Sequence, residues 1–454
     1  MEFLMHSFGL SFILGLLLAV CFKRCKKAKS VCIVVLGDIG RSPRMQYHAI
    51  SFIKEGYSVE IVGYPGTPPL NKLQNDSRVK IHYLSIPPNL NSKLITTIFY
   101  AFKVFWQSIN LSYSLFLKCN SSYLLLQNPP AIPSMPICWF YCYITRTKLA
   151  IDWHNYAYSV MIFSLSEKHI LIKLATIIEA FFGGKAMYNF CVTKAMKDDL
   201  DKKWSIRAKV LYDRPPDNFH PISLKEKHKL FIKLSKEYNI FKGTEKNSTI
   251  FTRTTVNKEI ELQVNKPALV MSSTSWTKDE DFSILLDALN DYNNECVLNK
   301  YKEYPDLICV ISGKGPLKAF YSNIIEKKNW NHVKVLTPWL ENEDYPKLLA
   351  SADLGVCLHK SSSGVDLPIK IVDMFGCGLP VCAYNFKCLN ELVKDNKNGF
   401  IFSNAEELST QLKLWFKNFS QQQKNNLFRD ELIKFQQLRW HKNWINKALP
   451  SFEI

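Results

Sequence analysis

The chain has 454 residues, of which 58 are Lys or Arg and 40 are Asp or Glu, so its formal net charge is +18. A hydrophobic share of 47% and an aromatic share of 13% exclude a disordered or collagen-like polymer, and the length predicts two to three domains. The basic excess is typical of a protein with an anionic partner, such as nucleic acid, an acidic membrane surface or a phosphate-bearing substrate. The thirteen cysteines contain no C-x-x-C pair, which argues against a zinc ribbon and favours reduced thiols.

The first thirty residues have the pattern of a membrane anchor. Residues 3–22 form an apolar run that, as a helix, is long enough to span a bilayer. A cleaved signal peptide has its basic residues before the apolar run, whereas here Glu2 precedes it and the basic residues follow, namely Lys23, Arg24, Lys26, Lys27 and Lys29. The positive-inside rule therefore predicts a signal anchor with a short luminal amino terminus and the rest of the chain in the cytosol.

Three later stretches are apolar without being clear membrane spans. Residues 94–117, 133–144 and 160–182 each contain a Lys, Asn, Pro or Glu that is costly at the centre of a bilayer. The first of them is rich in aromatic residues, as expected of a surface that dips into lipid headgroups. A buried core helix is the alternative interpretation, and both stay open.

The rest of the chain shows two successive α/β patterns. Short apolar runs alternate with helical stretches between residues 31 and 155 and again between 267 and 385, which predicts two domains with mostly parallel sheets. We expect two doubly wound, Rossmann-like domains facing a cleft. The predicted segments are an anchor and juxtamembrane region (1–29), a first domain (30–216), a polar linker or insertion (217–265), a second domain (266–425) and a helical tail (426–454). Whether the tail returns to the first domain stays open.

Two loops of the first domain can carry chemistry, because open α/β sheets bind ligands beyond the carboxyl ends of their strands. The loop GDIGRSPRMQYH (37–48) fits neither the dinucleotide fingerprint nor a P-loop. Its glycines permit close backbone approach and its arginines suit phosphate oxygens, so we predict an anion site formed by Gly37, Gly40, Arg41, Ser42, Arg44 and His48. In the second loop, DWHN (152–155), His154 is either a general acid or base, a sugar partner or a satisfied core histidine.

Three loops of the second domain repeat this theme. SSTSWTKDED (272–281) and ISGKGPLK (311–318) offer hydroxyls, glycines and lysines to a diphosphate, although simple helix capping also explains the first of them. In the segment 359–385 we predict a helix from about Pro368 to Phe375, with Lys370 suited to a phosphate and Asp373 to ribose hydroxyls. A surface ion pair between them is the alternative. The candidate donor-binding residues are Ser273, Ser275, Lys278, Gly313, Lys314, Gly315, Ser362, Ser363, Lys370 and Asp373.

Several long motifs resemble known enzymes. SGKGPLK, ADLGVCL and DMFGCGLPVCA resemble GT-B nucleotide-sugar glycosyltransferases. GDIGRSPRMQYHAISF, DWHNYAYS, CVTKAMKDDL, LYDRPP, SSTSWTKDEDFSILLDAL and SSSGVDLPIKIVDMFGCGLPVCAYNF are, in this order, similar to the chitobiosyldiphosphodolichol β-mannosyltransferase family of the lipid-linked oligosaccharide pathway. The likeness covers nearly the whole chain.

The resemblance implies transfer of the first mannose from GDP-mannose to GlcNAc2-diphosphodolichol on the cytosolic face of the endoplasmic reticulum, giving Man1GlcNAc2-diphosphodolichol for protein N-glycosylation. Because the donor is α-linked and the new bond is β1,4, the reaction inverts. Retaining members of the fold carry two acidic residues eight positions apart, but eight positions before Asp373 this chain has Val365. Other mannosyltransferases of the pathway are candidate partners.

An inverting displacement needs a base for the acceptor hydroxyl and positive groups for the departing GDP. Asp38 is the leading candidate for the base, followed by His154 and then Asp152. Arg41 and Arg44 are assigned to the acceptor diphosphate, whereas the donor diphosphate is assigned to Lys278, Lys314 and Lys370. The scheme requires no metal or other cofactor, although stimulation by Mg²⁺ stays open.

Two other functions stay open as alternatives. The first is a retaining α-mannosyltransferase of the same pathway. The second is a catalytically inactive, membrane-tethered subunit that binds a lipid-linked glycan. A nucleic-acid binder is excluded because the chain lacks a recognisable reading motif and its basic residues are spread along the sequence.

Overall fold

The computed structural model of the protein describes residues 29–88, 96–162, 165, 168–298, 303–419 and 427–453. The predicted membrane-spanning segment, residues 3–22, lies outside this described part of the chain. Within that part, no helix combines the length and the apolar character needed to cross a bilayer.

The chain forms two compact units and passes between them twice. The first unit extends to Tyr212 and resumes at His441, whereas the second comprises Asp213–Trp440. The predicted tail, 426–454, is therefore divided between the two units.

A seven-stranded parallel sheet forms the centre of the first unit. Its strands are β1 (Ser30–Asp38), β2 (Ser58–Tyr64), β3 (Val79–Tyr83), β4 (Tyr123–Asn128), β5 (Lys148–Trp153), β6 (Tyr188–Cys191) and β7 (Lys209–Val210). Their spatial order is β3-β2-β1-β4-β5-β6-β7, and every neighbouring pair is parallel. The strand order therefore reverses between β1 and β4, where the loops of a doubly wound sheet leave room for a ligand.

Helices connect these strands. They are α1 (Pro43–Lys54), α2 (Asn71–Gln74), α3 (Thr96–Tyr113), α4 (Ser134–Thr145), α5 (Ala157–Ile162), α6 (Ile170–Gly183) and α7 (Lys194–Trp204). Pro43 occupies the first turn of α1, where its missing N–H costs nothing. Thr193 caps α7, because its hydroxyl accepts the backbone N–H of Met196.

Residues 217–265, predicted to be a linker or insertion, belong to the second unit. They contain α8 (Leu224–Ser235) and an antiparallel hairpin of β8 (Thr252–Thr254) and β9 (Ile260–Leu262). Although this segment is mostly polar, three of its aromatic residues are buried in the apolar core of the unit, namely Phe231, Phe241 and Phe251. The rings of Phe231 and Phe251 lie 4.6 Å apart. This packing fixes the segment on the second unit.

The second unit is built on a six-stranded parallel sheet. Its strands are β10 (Ala268–Ser273), β11 (Leu307–Ser312), β12 (Val333–Leu336), β13 (Leu354–Cys357), β14 (Val381–Tyr384) and β15 (Gly399–Phe402). The spatial order β12-β11-β10-β13-β14-β15 reverses between β10 and β13. The helices are α9 (Phe282–Leu298), α10 (Lys318–Glu326), α11 (Asp344–Leu349), α12 (Ile369–Gly376), α13 (Ala405–Phe416) and α14 (Arg429–Gln436). The predicted α/β architecture with two parallel sheets is confirmed.

The end of the chain completes the core of the first unit. It follows α15 (Trp440–Lys447), in which Trp444 is fully buried. The ring of Phe452 lies 4.8 Å from that of Phe52, and its carbonyl accepts a hydrogen bond of 2.7 Å from the Tyr57 hydroxyl. Residues far apart in the sequence therefore share one core.

Candidate functional site

Asp38 closes the loop that follows β1. Its two carboxylate oxygens accept the backbone N–H groups of Gly40 and Thr67, each at 2.9 Å. A Cβ on Gly40 would lie 2.1 Å from the carbonyl oxygen of Thr67, so a glycine is required at this close approach of two loops. Arg41 is exposed, with its Nε 3.6 Å from the carboxylate of Asp38. This tightly packed loop therefore exposes the guanidinium of Arg41 to solvent.

The next residue of this loop is fastened to the neighbouring strand. Ser42 donates a hydrogen bond from its hydroxyl to the side-chain carbonyl of Gln127 in β4. Gly37, in contrast, has open space around it, since a Cβ there would meet only Val35, at 4.0 Å. The loops after β1 and β4 thus meet at the point where the strand order reverses.

A buried carboxylate, Asp152, is the centre of the first unit's polar network. Arg44 binds it through two hydrogen bonds of 2.7 and 2.8 Å. The Nε2 atoms of His48 and His154 lie 3.1 and 2.8 Å from its Oδ2. Burial alone would raise the pKa of Asp152, but the Arg44 guanidinium and the His154 ring outweigh it and hold the pKa well below its usual range. Asp152 is therefore ionised at neutral pH.

Two predicted acceptor ligands, Arg44 and His48, lie inside the domain. Their exposed fractions are 1% and 0%, and both are engaged with Asp152. This burial argues against their predicted contact with an acceptor diphosphate, and we reassign both as positioning residues for Asp152. Asp152 itself is fully buried, so it can act on a substrate only through a neighbour.

His154 is that neighbour. Its side chain is 21% exposed, its backbone N–H donates to the Asn128 carbonyl at the end of β4, and its Nε2 faces Asp152. A histidine backed by a buried carboxylate and open to solvent on its other side is the arrangement that proton transfer needs.

In the second unit, the sequence-based prediction missed Glu280. This carboxylate is 1% exposed and accepts the Thr274 hydroxyl at 2.5 Å and the Ser275 backbone N–H at 2.9 Å. It also binds the Lys370 ammonium, so Lys370 is not paired with Asp373. Glu280 thus ties the loop after β10 to the start of α12 and holds the Lys370 charge there.

A second group that was missed is His359, beyond the end of β13. Its Nδ1 lies 3.5 Å from Asp279 and its Nε2 lies 3.3 Å from Asp366. Burial alone would lower the pKa of His359, but hydrogen bonds to the two carboxylates raise it to about 9. The same contact helps to lower the pKa of Asp279 to about 2. His359 is therefore a cation at neutral pH. In the sequence, only its position just after a strand indicates that it could belong to a site.

Asp373 lies in α12 as predicted but is 7% exposed. Burial, together with the charge of Asp213, raises its pKa well above the usual range. Its Oδ1 is buried and has no hydrogen-bond partner among the described residues. A buried polar atom without a partner is costly, and a ligand hydroxyl would satisfy it.

The remaining predicted donor residues divide by exposure. Ser273 is buried, and its hydroxyl lies 2.8 Å from that of Tyr345. Lys314 is exposed, with its Nζ 3.7 Å from the Trp339 ring. Ser275 and Lys278 are also exposed, whereas Ser362 and Ser363 are half-buried.

Gly313 and Gly315 serve packing between two loops. A Cβ on Gly313 would lie 1.8 Å from the Thr274 carbonyl oxygen, and one on Gly315 would lie 1.7 Å from that of Ser275. The glycines therefore let the loop after β11 touch the loop after β10, which is a different role from the predicted direct contact with a diphosphate.

Comparison with known proteins fixes the family. A model of glycosyl transferases group 1 matches residues 254–427. The chitobiosyldiphosphodolichol beta-mannosyltransferases of Pongo abelii and Homo sapiens are each 46% identical to this chain, over 97% of the chain and 97% of the relative. A solved glycosyltransferase from Rickettsia africae ESF-5 is 15% identical with a TM-score of 0.58, over 94% of this chain and 98% of the other, which supports the GT-B fold. The chain therefore belongs to the chitobiosyldiphosphodolichol beta-mannosyltransferase family.

Proposed function

We propose that this protein transfers the first mannose from GDP-α-D-mannose to GlcNAc2-diphosphodolichol in β1,4 linkage, forming Man1GlcNAc2-diphosphodolichol for protein N-glycosylation. The observation that carries the proposal is the 46% identity, over 97% of the chain, to relatives named for this activity. In this proposal residues 3–22 anchor the protein in the endoplasmic reticulum membrane, and the two units work on its cytosolic face.

Inversion requires a single displacement at the anomeric carbon. The acceptor 4-hydroxyl oxygen forms a bond to C1 of mannose as the bond from C1 to the GDP oxygen breaks. The hydroxyl proton passes to a base, and GDP leaves with the electron pair. The buried Val365 supports inversion because it stands where a retaining member has an acid. The next residue, Asp366, accepts hydrogen bonds from Ser361 and Ser363, so it is committed to its own loop.

His154 is the base in this scheme. Asp38, the leading candidate from the sequence, has both carboxylate oxygens occupied by backbone N–H groups, which is a structural capping role. The ring of His154 is partly exposed and is oriented by Asp152 at 2.8 Å. Asp152 stabilises the imidazolium that forms when His154 accepts the proton.

The donor side supplies positive charge and a ribose contact. Lys370, held by Glu280, and the cationic His359 face the loops where the second sheet reverses, and we assign both to the GDP diphosphate. We assign the unsatisfied Oδ1 of Asp373 to a ribose hydroxyl. Lys278 and Lys314 are exposed and are secondary candidates for the diphosphate. Two fixed cations can offset the charge of the leaving group, so the scheme needs no metal.

On the acceptor side, Arg41 is the residue assigned to the lipid diphosphate. It is exposed beside the loop of Gly37 and Gly40, and its guanidinium fork suits two phosphate oxygens.

The purified full-length protein tests this function directly. Incubated in detergent with radiolabelled GDP-mannose and a chitobiosyl-diphosphate lipid, it should transfer mannose to the lipid, and β-mannosidase should release the label. Turnover should persist when a chelator removes divalent cations. Release by α-mannosidase would indicate a retaining enzyme, and acceptor binding without transfer would indicate a glycan-binding subunit. Either result would overturn the proposal.

A further inference from the structure

A cluster of metal-binding side chains lies on one face of the first sheet, within the strands rather than at their carboxyl ends. It consists of Glu60 in β2, His82 in β3 and Cys119 in the loop that precedes β4. Their ligand atoms, a carboxylate oxygen, a ring nitrogen and a thiol sulfur, all lie within 4.8 Å of one another. The proposed mechanism uses none of these three residues.

Strand pairing brings these side chains together. Cys32 in β1 is the register partner of Glu60 in β2, and Val62, two positions after Glu60, is the partner of His82 in β3. Side chains of a strand alternate between the two faces of the sheet with a period of two, so Cys32, Glu60 and His82 point to the same face. These residues come from different strands, and no local spacing in the sequence indicates that they meet.

Glu60 is held with one oxygen turned toward the cluster. Its Oε2 accepts the backbone N–H of Asn120 at 3.0 Å and the hydroxyl of Ser121 at 2.6 Å. Its Oε1 instead lies 3.9 Å from Nε2 of His82. Carboxylates that bind a metal are commonly oriented by hydrogen bonds of this kind. The two residues that follow Cys119 therefore fix Glu60 as a ligand would be fixed.

His82 presents a nitrogen that lacks a partner. Its Nε2 is buried and has no hydrogen-bond partner among the described residues, and its separation of 3.9 Å from Glu60 is too long for a hydrogen bond. Leaving such an atom unsatisfied is costly. Zinc binds histidine nitrogen and carboxylate oxygen at about 2.0–2.2 Å, so an ion between the two atoms would leave them roughly 3.4–4.2 Å apart. The observed separation falls within this range.

Two thiols extend the ligand set. Cys119 follows a turn of π-helix, Ser114–Lys118, and its sulfur lies 3.8 Å from that of Cys32. Two sulfurs on one tetrahedral zinc ion, each at about 2.3 Å, have roughly this separation. The hydrogen bond to Cys119, together with burial, raises the pKa of the Cys32 thiol well above its usual range, but a bound cation favours the thiolate. The side chains of Glu60 and His82 are 16% and 17% exposed, which leaves an ion a route from solvent.

We propose that one Zn²⁺ ion binds to the strands β1, β2 and β3, with Glu60, His82 and Cys119 as ligands. Cys32 is its fourth ligand. Nitrogen and sulfur ligands favour zinc over Mg²⁺ and Ca²⁺, which prefer oxygen. Cys32 precedes Asp38 by six positions in β1, about 20 Å along an extended strand. The ion would therefore fasten the loop after α3 to the edge of the sheet and take no part in the displacement.

Cobalt substitution tests the site in the full-length protein, purified in detergent without a polyhistidine tag. Tetrahedral Co²⁺ bound by thiolates absorbs strongly in the visible range. Metal-stripped protein titrated with Co²⁺ should develop this absorption up to one ion per chain, and added Zn²⁺ should abolish it. Zn²⁺ should also raise the unfolding temperature, because the assembled site exists only in the folded chain. A saturating Co²⁺ titration without thiolate absorption would overturn the proposal.

Single substitutions identify the ligands. Cys119→Ser and His82→Gln should each weaken Co²⁺ binding by more than about tenfold, since even the loss of a group that orients a ligand costs about 10–100-fold in metal affinity. Cys296→Ser and His332→Gln, at half-buried positions of the second unit, are the matched controls and should leave the affinity unchanged. Unfolding temperatures of the metal-stripped variants check that they fold, and Glu60→Gln replaces either one that does not.

Cobalt absorption that survives both ligand substitutions, or that falls equally in the controls, would refute the site. The inference does not depend on the proposed function, and the readout needs no turnover. A protein that binds cobalt in this way but transfers no mannose would therefore contradict the proposed function and leave the metal site intact.

Discussion

At the residue scale, the tautomer of one buried histidine determines how Asp152 works. The indole N–H of Trp444 donates to His48 Nδ1 at 2.9 Å, so the ring proton resides on Nε2, which faces Asp152. Burial lowers the pKa of His48 against the opposing effect of Asp152, which keeps the ring neutral. The Asp152 carboxylate is therefore paired with the Arg44 guanidinium. Its other ionisable neighbour is His154, which lies at the surface.

This arrangement predicts that His154→Gln abolishes most turnover without unfolding the protein. Glutamine keeps a polar atom near Asp152 but cannot accept the acceptor proton, so kcat should fall by about 10²–10⁴-fold with KM for GDP-mannose nearly unchanged. Initial rates measure the first effect, and thermal unfolding checks the fold.

Asp38→Asn is the matched comparison, because it removes one carboxylate charge from the neighbouring loop. We expect it to keep turnover within about tenfold of the wild type, since an amide oxygen can still accept one of the two backbone N–H groups. A folded Asp38→Asn protein as inactive as His154→Gln would return Asp38 to the role of base.

His359 gives a stability effect with a defined pH window. Its pKa is raised from the usual 6.5 to about 9 in the folded protein, so its contribution is full below pH 6.5 and disappears as the pH rises through 9. We expect His359→Gln to lower the free energy of unfolding by about 2–3 kcal/mol below pH 6.5 and to match the wild type above pH 9. Denaturant titrations across this range measure the difference, and a gap independent of pH would contradict the prediction.

At the element scale, strands and site residues differ in how well the sequence predicts them. Long apolar runs such as β1 and β10 are evident, because strands covered on both faces have no polar interruption. β6 and β15 have only four residues each and lie beyond residues 155 and 385, where the two predicted patterns end. Lys370 and Asp373 are placed correctly in one helix, yet Lys370 pairs with Glu280, 90 positions away. Such partners depend on which loops the sheet order brings together, and local spacing does not contain that information.

Glu179 provides a prediction about how helices attach to the sheet. Burial raises its pKa from the usual 4.5 to about 7 despite hydrogen bonds from Ala157 and Asn128, so this group makes the protein less stable as pH rises from 4.5 to 7. Glu179→Gln keeps an acceptor without the charge and should be at least as stable as the wild type above pH 7. Glu179→Ala leaves two buried donors unsatisfied and should cost about 1–3 kcal/mol each.

Thermal unfolding of the two Glu179 variants on both sides of pH 7 separates these effects. A glutamine variant that loses as much stability as the alanine variant at every pH would show that the carboxylate itself, rather than its hydrogen bonds, holds α5 and α6.

At the scale of the whole molecule, each unit has its own parallel sheet, but only the first depends on a distant part of the chain. The chain leaves this unit at Tyr212 and returns at His441, after the whole second sheet has been formed. The returning segment supplies Trp444 and Phe452 to the core around Phe52. The polar network of Asp152 therefore requires both ends of the described chain.

Trp444 packs in the core of the first unit and also fixes the tautomer of His48. Two substitutions separate these roles. Trp444→Ala removes a fully buried ring and should destabilise the first unit by about 3–5 kcal/mol. Trp444→Phe keeps most of the apolar contact but removes the N–H that fixes the His48 tautomer, so it should cost only about 1–2 kcal/mol while lowering kcat more than its small loss of stability explains. Calorimetric binding of GDP should be unchanged in Trp444→Phe, because the donor-side groups belong to the second unit. If GDP affinity and kcat fell together, the effect would lie in the second unit, and the assignment of Trp444 to the Asp152 network would fail.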